Sequence, residues 1–255
     1  MKRFLWPGLL AATLLGCDAP PSPPATPVQS AVAPQAPEWK ALEATSEVWK
    51  HVKPGCKGPE CAWVEADLQN LSDPALQGLL VRTLVGMVSL GEQPLTADSW
   101  VGLESAFWPK TGPSWNIGLQ NRILHQSGPL LTLQLDVYTY SGGAHGIEVT
   151  RYLNIDRSRG NAILTLADIL LPGKEAAFWG LVRIRHNALR KEMALDEADF
   201  ANAWPFQTTG NFAITAKGVV LKYQAYDLGP YALGQPEFLI TRDQLVTIVR
   251  PEFLH

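Results

Sequence analysis

The stretch Tyr138–Gly146 reads YTYSGGAHG and has the composition of a turn between two strands. In the residues before it, apolar side chains alternate with polar ones, at Leu131, Leu133, Leu135 and Val137. This period of two is typical of a half-buried strand, so the fold is expected to be organised around a strand that ends here.

The two glycines of this stretch, Gly142 and Gly143, can adopt the positive φ angles that a tight turn requires. Apolar residues between Ile147 and Ile155 supply a return strand, so the stretch predicts a β-hairpin. His145 lies at the turn, and two interpretations stay open for it. Its ring either closes the loop by bonding local backbone or serves a ligand, because loops on a rigid scaffold often carry function.

The N-terminus has the features of a secretory signal peptide over residues 1–16: a basic start, a short apolar run and a small residue before Cys17. The run is too short to span a bilayer as a helix. The sequence Leu-Leu-Gly-Cys is similar to the bacterial lipoprotein signal. The similarity implies cleavage before Cys17, lipidation of Cys17 with palmitate-type acyl chains, and a periplasm-facing membrane anchor. Asp18 favours the inner membrane, and the choice between inner and outer membrane stays open.

Residues 17–37 are rich in proline and alanine and contain hardly any large apolar side chain. Such a segment cannot bury enough surface to offset the entropy of an ordered chain, so an extended tether is predicted. Removal of residues 1–16 changes the formal net charge from −3 to −5, because it removes two basic residues. A mildly acidic chain is a poor candidate for nucleic-acid binding.

Cys56 and Cys61 lie at the two ends of a short loop. An exported chain meets an oxidising compartment, which favours a disulfide between them. A zinc site would need clustered histidine, cysteine or carboxylate ligands, and the five histidines are scattered along the chain. No metal and no other cofactor is predicted.

Periodicity predicts both strands and helices in residues 38–126 and in residues 127–255. The first has predicted strands at 42–52, 62–68 and 117–126 and predicted helices at 74–89 and 96–108. The second adds to the hairpin a short strand and helical turn at 163–170, a helix at 174–194, strands at 212–223 and 238–240, and a terminal helix at 242–249.

The helix predicted at 174–194 is amphipathic. Its helical wheel places Arg185 inside the apolar arc and His186 on the opposite, basic arc. A buried arginine needs a partner, so Arg185 is expected to pair with a carboxylate. His186 and its basic neighbours are expected to be solvated.

Three stretches together resemble one family. They are the hairpin with Asn154, the segment Ile163–Leu170, and the segment Phe212–Gly234, which ends in Tyr-Asp-Leu-Gly-Pro-Tyr-Ala-Leu-Gly. This combination resembles the RsiV/PdaC-type extracytoplasmic domain of unknown function, and residues 38–126 resemble its smaller companion domain. The resemblance implies an α+β fold with antiparallel sheets and packed helices in two subdomains, residues 38–126 and 127–255. It also implies a binding role near peptidoglycan, including recognition of lysozyme. Neither a sigma-binding segment nor a deacetylase catalytic domain is recognised, so neither activity is expected.

The leading hypothesis is a lipid-anchored periplasmic binding module that recognises peptidoglycan or a wall-active protein such as lysozyme. Its candidate contact residues are Tyr140, Ser141, Gly142, Gly143, His145, Tyr226 and Tyr231. Two alternatives stay open: a wall hydrolase or deacetylase-like enzyme with His145 as base, and a structural envelope lipoprotein. A non-enzymatic role is favoured, because Thr139 stands where a nucleophile elbow around Ser141 needs its first glycine.

Overall fold

The computed structural model describes residues 39–90, 93–95, 97–195 and 197–254. This part of the chain contains a six-stranded sheet and a three-stranded sheet, each packed against helices. The strands are β1 (Ala44–Val52), β2 (Trp63–Leu71), β3 (Ser89–Leu90), β4 (Gln93–Pro94), β5 (Asn116–Ser127), β6 (Leu130–Tyr140), β7 (Ile147–Asp156), β8 (Ala162–Ile163), β9 (Phe212–Thr215), β10 (Gly218–Lys222) and β11 (Glu237–Thr241). The helices are α1 (Pro74–Met87), α2 (Trp100–Phe107), α3 (Leu166–Ile169), α4 (Glu175–Glu192), α5 (Ala198–Ala203) and α6 (Arg242–Leu245). The predicted signal peptide, Cys17 and the tether lie outside the described residues.

The predicted hairpin is formed by β6 and β7. The two strands pair antiparallel, with Leu133 opposite Leu153, and the leucines on that face are buried. Gly142 and Gly143 have φ angles of +92° and +96°, which confirms the predicted use of both glycines in the turn.

The larger sheet has the strand order β1-β2-β5-β6-β7-β8. Its neighbouring strands pair antiparallel except β2 and β5, which pair in parallel. The chain passes through α1 and α2 between these two strands, and a helical crossover of this kind is what a parallel pair requires. The predicted α+β class is confirmed, with one parallel pair in an otherwise antiparallel sheet.

Helices α1 and α2 pack on the leucine-rich face of this sheet. Helix α1 begins as predicted, because the Asp73 carboxylate accepts hydrogen bonds from the backbone N–H groups of Ala75 and Leu76, and Pro74 occupies the first turn. Leu80 and Leu84 then reach the core between helix and sheet. No helix of the described residues is long and apolar enough to cross a membrane.

The smaller sheet has the order β11-β10-β9 and packs with α4 and α6 around a second apolar core. It is tied to β7 by Asn154, a side chain that is 1% exposed. The Asn154 amide donates to the Phe212 carbonyl at 2.7 Å and accepts from the Ile214 N–H at 2.8 Å. The edge strand β9 is thereby hydrogen-bonded to the hairpin through a side chain.

Helix α4 confirms the predicted element but not its predicted faces. Arg185 is exposed, and its guanidinium donates to the amide oxygen of Gln244 at 3.2 Å rather than to a carboxylate. His186, expected in solvent, is 2% exposed. The buried stripe repeats every four residues as Phe178, Val182 and His186, and it is narrower than the apolar arc of the helical wheel.

Two other predictions differ from the structure in length or continuity. The terminal helix ends at Leu245 as α6, and Val249 instead forms a β-bridge with Leu170. The predicted boundary at 126 falls inside β5, one residue before this strand ends, and β5 pairs with β6. Both predicted subdomains therefore contribute strands to one sheet. Independent folding of residues 38–126 stays a prediction.

Candidate binding site at the hairpin end of the sheet

Three loops meet at the end of the large sheet where β6 stops. Tyr140 at the end of β6 pairs with Asn116, which pairs in turn with Trp63. The loops at 53–62, 111–115 and 141–146 therefore lie side by side. We call this region the hairpin end.

Trp115 links two of these loops to the hairpin. Its carbonyl accepts a hydrogen bond from the Trp63 N–H at 3.1 Å. A Cβ atom at Gly142 would lie 3.4 Å from Trp115 Nε1, so the indole lies directly beside the turn. Nothing in the local sequence indicated Trp115, because its neighbour at Gly142 is far away along the chain.

The predicted disulfide between Cys56 and Cys61 is confirmed, with the two Cα atoms 5.8 Å apart. It closes the loop at 53–62. The Ser114 N–H donates to the Glu60 carbonyl at 2.8 Å, so the closed loop is also held against the loop at 111–115.

A fourth loop, residues 224–235, brings Tyr226 and Tyr231 to the hairpin. The Tyr231 ring stacks on the His145 ring, with centroids 3.7 Å apart and planes 16° apart. The Tyr231 hydroxyl donates to the Gly146 carbonyl at 3.1 Å. Tyr226 lies against Tyr231 with ring centroids 5.8 Å apart. The structure thus places three of the predicted contact residues in one partly exposed aromatic group.

His145 makes the local backbone contact that one interpretation expected. Its Nδ1 lies 2.9 Å from the Gly146 carbonyl oxygen. A carbonyl can only accept, so Nδ1 carries a proton, and in this tautomer Nε2 has an acceptor lone pair. The second interpretation, contact with a ligand, stays a prediction.

The hairpin turn is fixed from both sides by tyrosines. The Tyr140 hydroxyl donates to the Gly143 carbonyl at 3.2 Å. Tyr138 lies across Gly146, where a Cβ atom would overlap the end of the tyrosine ring. A larger residue at 146 would therefore have to displace the Tyr138 ring.

A cleft of about 400 Å³ opens beside the hairpin. Among the predicted residues, Ser141, Gly142 and His145 line it, whereas Tyr140 and Gly143 support the turn. The opposite wall includes Met87 and Ser89 from the end of α1 and from β3, which sequence analysis did not identify. The cleft presents hydroxyls, backbone and an imidazole together with the apolar side chains of Met87, Ile147 and Val149.

The cleft lacks the contacts of a serine nucleophile. Within the described residues, Ser141 has no hydrogen bond to His145, and the hydrogen bond of the imidazole runs to a backbone carbonyl and not to a carboxylate. A nucleophile and its base need to lie within hydrogen-bond reach. No group of three or more potential metal ligands occurs in the same part of the chain.

Side-chain amides hold the 224–235 loop on the outer edge of β7. Gln224 accepts from the Thr150 N–H at 3.2 Å and donates to the Thr150 carbonyl at 2.6 Å. Gln235 donates to the Glu148 carbonyl at 2.8 Å. These amides satisfy backbone groups that another strand would otherwise pair. They position Tyr226 and Tyr231, and sequence patterns could not reveal them because their partners are distant along the chain.

Behind this edge, Tyr152 is buried and donates to Glu237 at 3.1 Å. Burial raises the pKa of the Tyr152 hydroxyl well above its usual range, and the nearby charge of Glu237 raises it further. The hydroxyl therefore stays protonated and connects β7 to β11.

The solved structures that are similar to the chain include two of the DUF3298 family. A DUF3298 family protein from Pseudomonas aeruginosa PAO1 is 35% identical, covers 84% of this chain and 97% of its own, and superposes with a TM-score of 0.73. A DUF3298 family member from Bacteroides fragilis NCTC 9343 is 20% identical, with coverages of 85% and 98% and a TM-score of 0.64, which shows a common fold. No curated protein matches the chain significantly.

The family model described as "Protein of unknown function (DUF3298)" matches residues 167–243. This segment contains α4, the smaller sheet and the loop that carries Tyr226 and Tyr231. With the extent and identity of the Pseudomonas similarity, these observations establish that the chain belongs to the DUF3298 family.

Proposed function

We propose that this protein is a lipid-anchored, periplasmic binding module of the RsiV/PdaC type, and that its hairpin end binds a saccharide of peptidoglycan. The observation that carries the proposal is the stack of His145 on Tyr231 beside a cleft lined by hydroxyl and backbone groups. Aromatic rings offer flat apolar faces to sugar rings, and the hydroxyls and the Nε2 lone pair offer hydrogen bonds to sugar hydroxyls.

The resemblance to the RsiV domain makes lysozyme the second ligand to test. A protein ligand would contact a broader surface than the cleft, including the exposed rings of Tyr226 and Tyr231. The hydrolase alternative receives no support from the contacts of Ser141 and His145.

Calorimetric titration tests the proposal. Residues 38–255 would be titrated with muropeptides and then with lysozyme, as wild type, His145→Ala and Tyr231→Ala. His51→Ala is the matched control, because His51 is exposed and contacts Glu104 of α2, away from the cleft. Loss of one stacking partner is expected to weaken binding about tenfold, equivalent to about 1.4 kcal/mol.

The possible results separate the hypotheses. Muropeptide binding that weakens in both hairpin-end variants and not in His51→Ala supports the proposal. Binding of lysozyme alone replaces the saccharide by a protein ligand. If wild type gives no heat with either titrant, recognition of the wall at this site is contradicted.

A further inference from the structure

The end of the sheet opposite the hairpin contains a cleft of about 620 Å³. The volume is typical of small-molecule sites. Its wall is formed by the turn before β6, the turn after β7 and the residues that follow the Leu170–Val249 bridge. Neither the hairpin residues nor the 224–235 loop contribute to it.

The cleft is lined by charged side chains of both signs. Two arginines and three carboxylates line it: Arg159, Arg250, Asp156, Asp168 and Glu252. A ligand that bears charges of both signs would complement such a wall.

Arg250 has an unused donor at this cleft. Its backbone is fixed, because its N–H donates to the Ile169 carbonyl at 2.8 Å. Its side-chain Nε is buried and has no hydrogen-bond partner among the described residues. A buried guanidinium N–H without an acceptor is costly, so an acceptor supplied by a ligand would remove that cost.

Asp168 does not satisfy the two arginines. Its Oδ2 accepts hydrogen bonds from the Thr165 N–H and hydroxyl at 2.8 and 2.6 Å. Its Oδ1 is 3.9 Å from Arg159, a loose contact, and Arg250 lies near enough only to act through its charge. An anionic group of a ligand can therefore bind between the arginines.

The other carboxylates would repel a simple anion. The Asp156 Oδ1 accepts hydrogen bonds from the Ser158 N–H and hydroxyl. Glu252 lines the cleft and forms neither an ion pair nor a hydrogen bond within the described residues. A bound anion alone would face these two negative charges. A bound cation alone would leave the Arg250 Nε unpaired.

We propose that this cleft is a second binding site, for a zwitterion of the α-amino-acid type, whose carboxylate binds Arg250 and Arg159 and whose ammonium faces Asp156 and Glu252. This site is separate from the hairpin end, so its test does not depend on the proposed wall recognition.

Saturation-transfer NMR on the full-length protein tests the proposal with three probes: glycine, acetate and methylammonium. Glycine is expected to bind, and each single-charge probe to bind at least tenfold more weakly. Arg159→Gln and Arg250→Gln are each expected to weaken glycine binding about tenfold. Arg185→Gln, on the exposed face of α4, is the matched control and should bind as wild type does.

Arg159 is largely exposed, so its variant keeps the test valid if Arg250→Gln misfolds. His145→Ala should leave glycine binding unchanged. Acetate binding as strong as glycine binding, no glycine signal with wild type, or unchanged glycine affinity in Arg159→Gln would each overturn the proposal.

Discussion

Asn154 connects the two sheets through a single side chain. Its side-chain amide donates to the Phe212 carbonyl and accepts from the Ile214 N–H and, at 3.2 Å, from the Thr132 hydroxyl. The Asn154 side chain is fully buried. Replacement by alanine would remove the hydrogen-bond partner of one buried N–H, one buried carbonyl and the buried Thr132 hydroxyl. We expect Asn154→Ala to lower the free energy of unfolding by about 2–4 kcal/mol, measured by urea denaturation. Asn187→Ala, on the exposed side of α4, should change it by less than about 0.5 kcal/mol, and equal effects would refute this role.

His186 predicts a pH dependence of stability. The ring is buried beside Phe206, and neither ring nitrogen has a hydrogen-bond partner in the described chain. Burial lowers the pKa of His186, and the charges of Arg190 and Arg183 lower it further. The unfolded chain therefore binds the proton first, at the ordinary pKa of about 6.5. The stability due to the neutral ring is complete above that pH and is lost as the pH falls from about 6.5 through the lower pKa of the folded state.

Chemical denaturation between pH 8 and pH 5 measures this effect. Wild type should lose stability as the pH falls over that range. His186→Leu, which introduces an apolar side chain of similar size that cannot titrate, should lose less. Parallel curves for the two proteins would show that His186 does not titrate in the way its surroundings indicate.

At the scale of elements, the hairpin depends on the contact between Tyr138 and Gly146. A methyl group at 146 would overlap the tyrosine ring, so Gly146→Ala should destabilise the protein by about 1–3 kcal/mol. The ring is 41% exposed, and its removal opens the space. In a Tyr138→Ala background, Gly146→Ala should therefore cost much less.

Thermal unfolding of the two single variants and the double variant gives the coupling. Gly180→Ala is a suitable control, because no atom lies within 4 Å of the added methyl and alanine favours the helix. Additive losses at 138 and 146 would mean that another contact fixes the turn.

Elements with strong local signals were predictable from the sequence. Which face of each element is buried was less predictable. The Asp73-Pro74 start of α1 and the glycines of the hairpin carry local information, and both predictions are confirmed. In α4 the helical wheel placed Arg185 on the apolar side and His186 on the polar side, and the structure shows the reverse. Segments distant in the sequence decide which of the two side chains is buried. The neighbour of His186, Phe206, lies in one such segment.

At the scale of the whole molecule, the sequence predicted the fold class but not how the candidate contact residues are assembled. The stack of His145 on Tyr231 joins residues far apart along the chain. Its support comes from amide groups of Gln224 and Gln235 that replace a strand on the edge of β7. Amide pairing of this kind has no periodicity in sequence, so pattern analysis has nothing to detect.

Gln224→Ala tests whether these amides couple the smaller sheet to the hairpin end. Loss of the side chain removes the acceptor of the Thr150 N–H, so hydrogen exchange at Thr150 should accelerate about tenfold or more. Exchange in the middle of β6, such as at Leu133, should stay unchanged, because its bonds to β5 and β7 are intact. Gln120→Ala, exposed on β5, is the control. Faster exchange throughout the sheet would show global destabilisation instead. A change confined to β7 and the 224–235 loop would show that the loop with Tyr226 and Tyr231 can loosen while the hairpin stays folded.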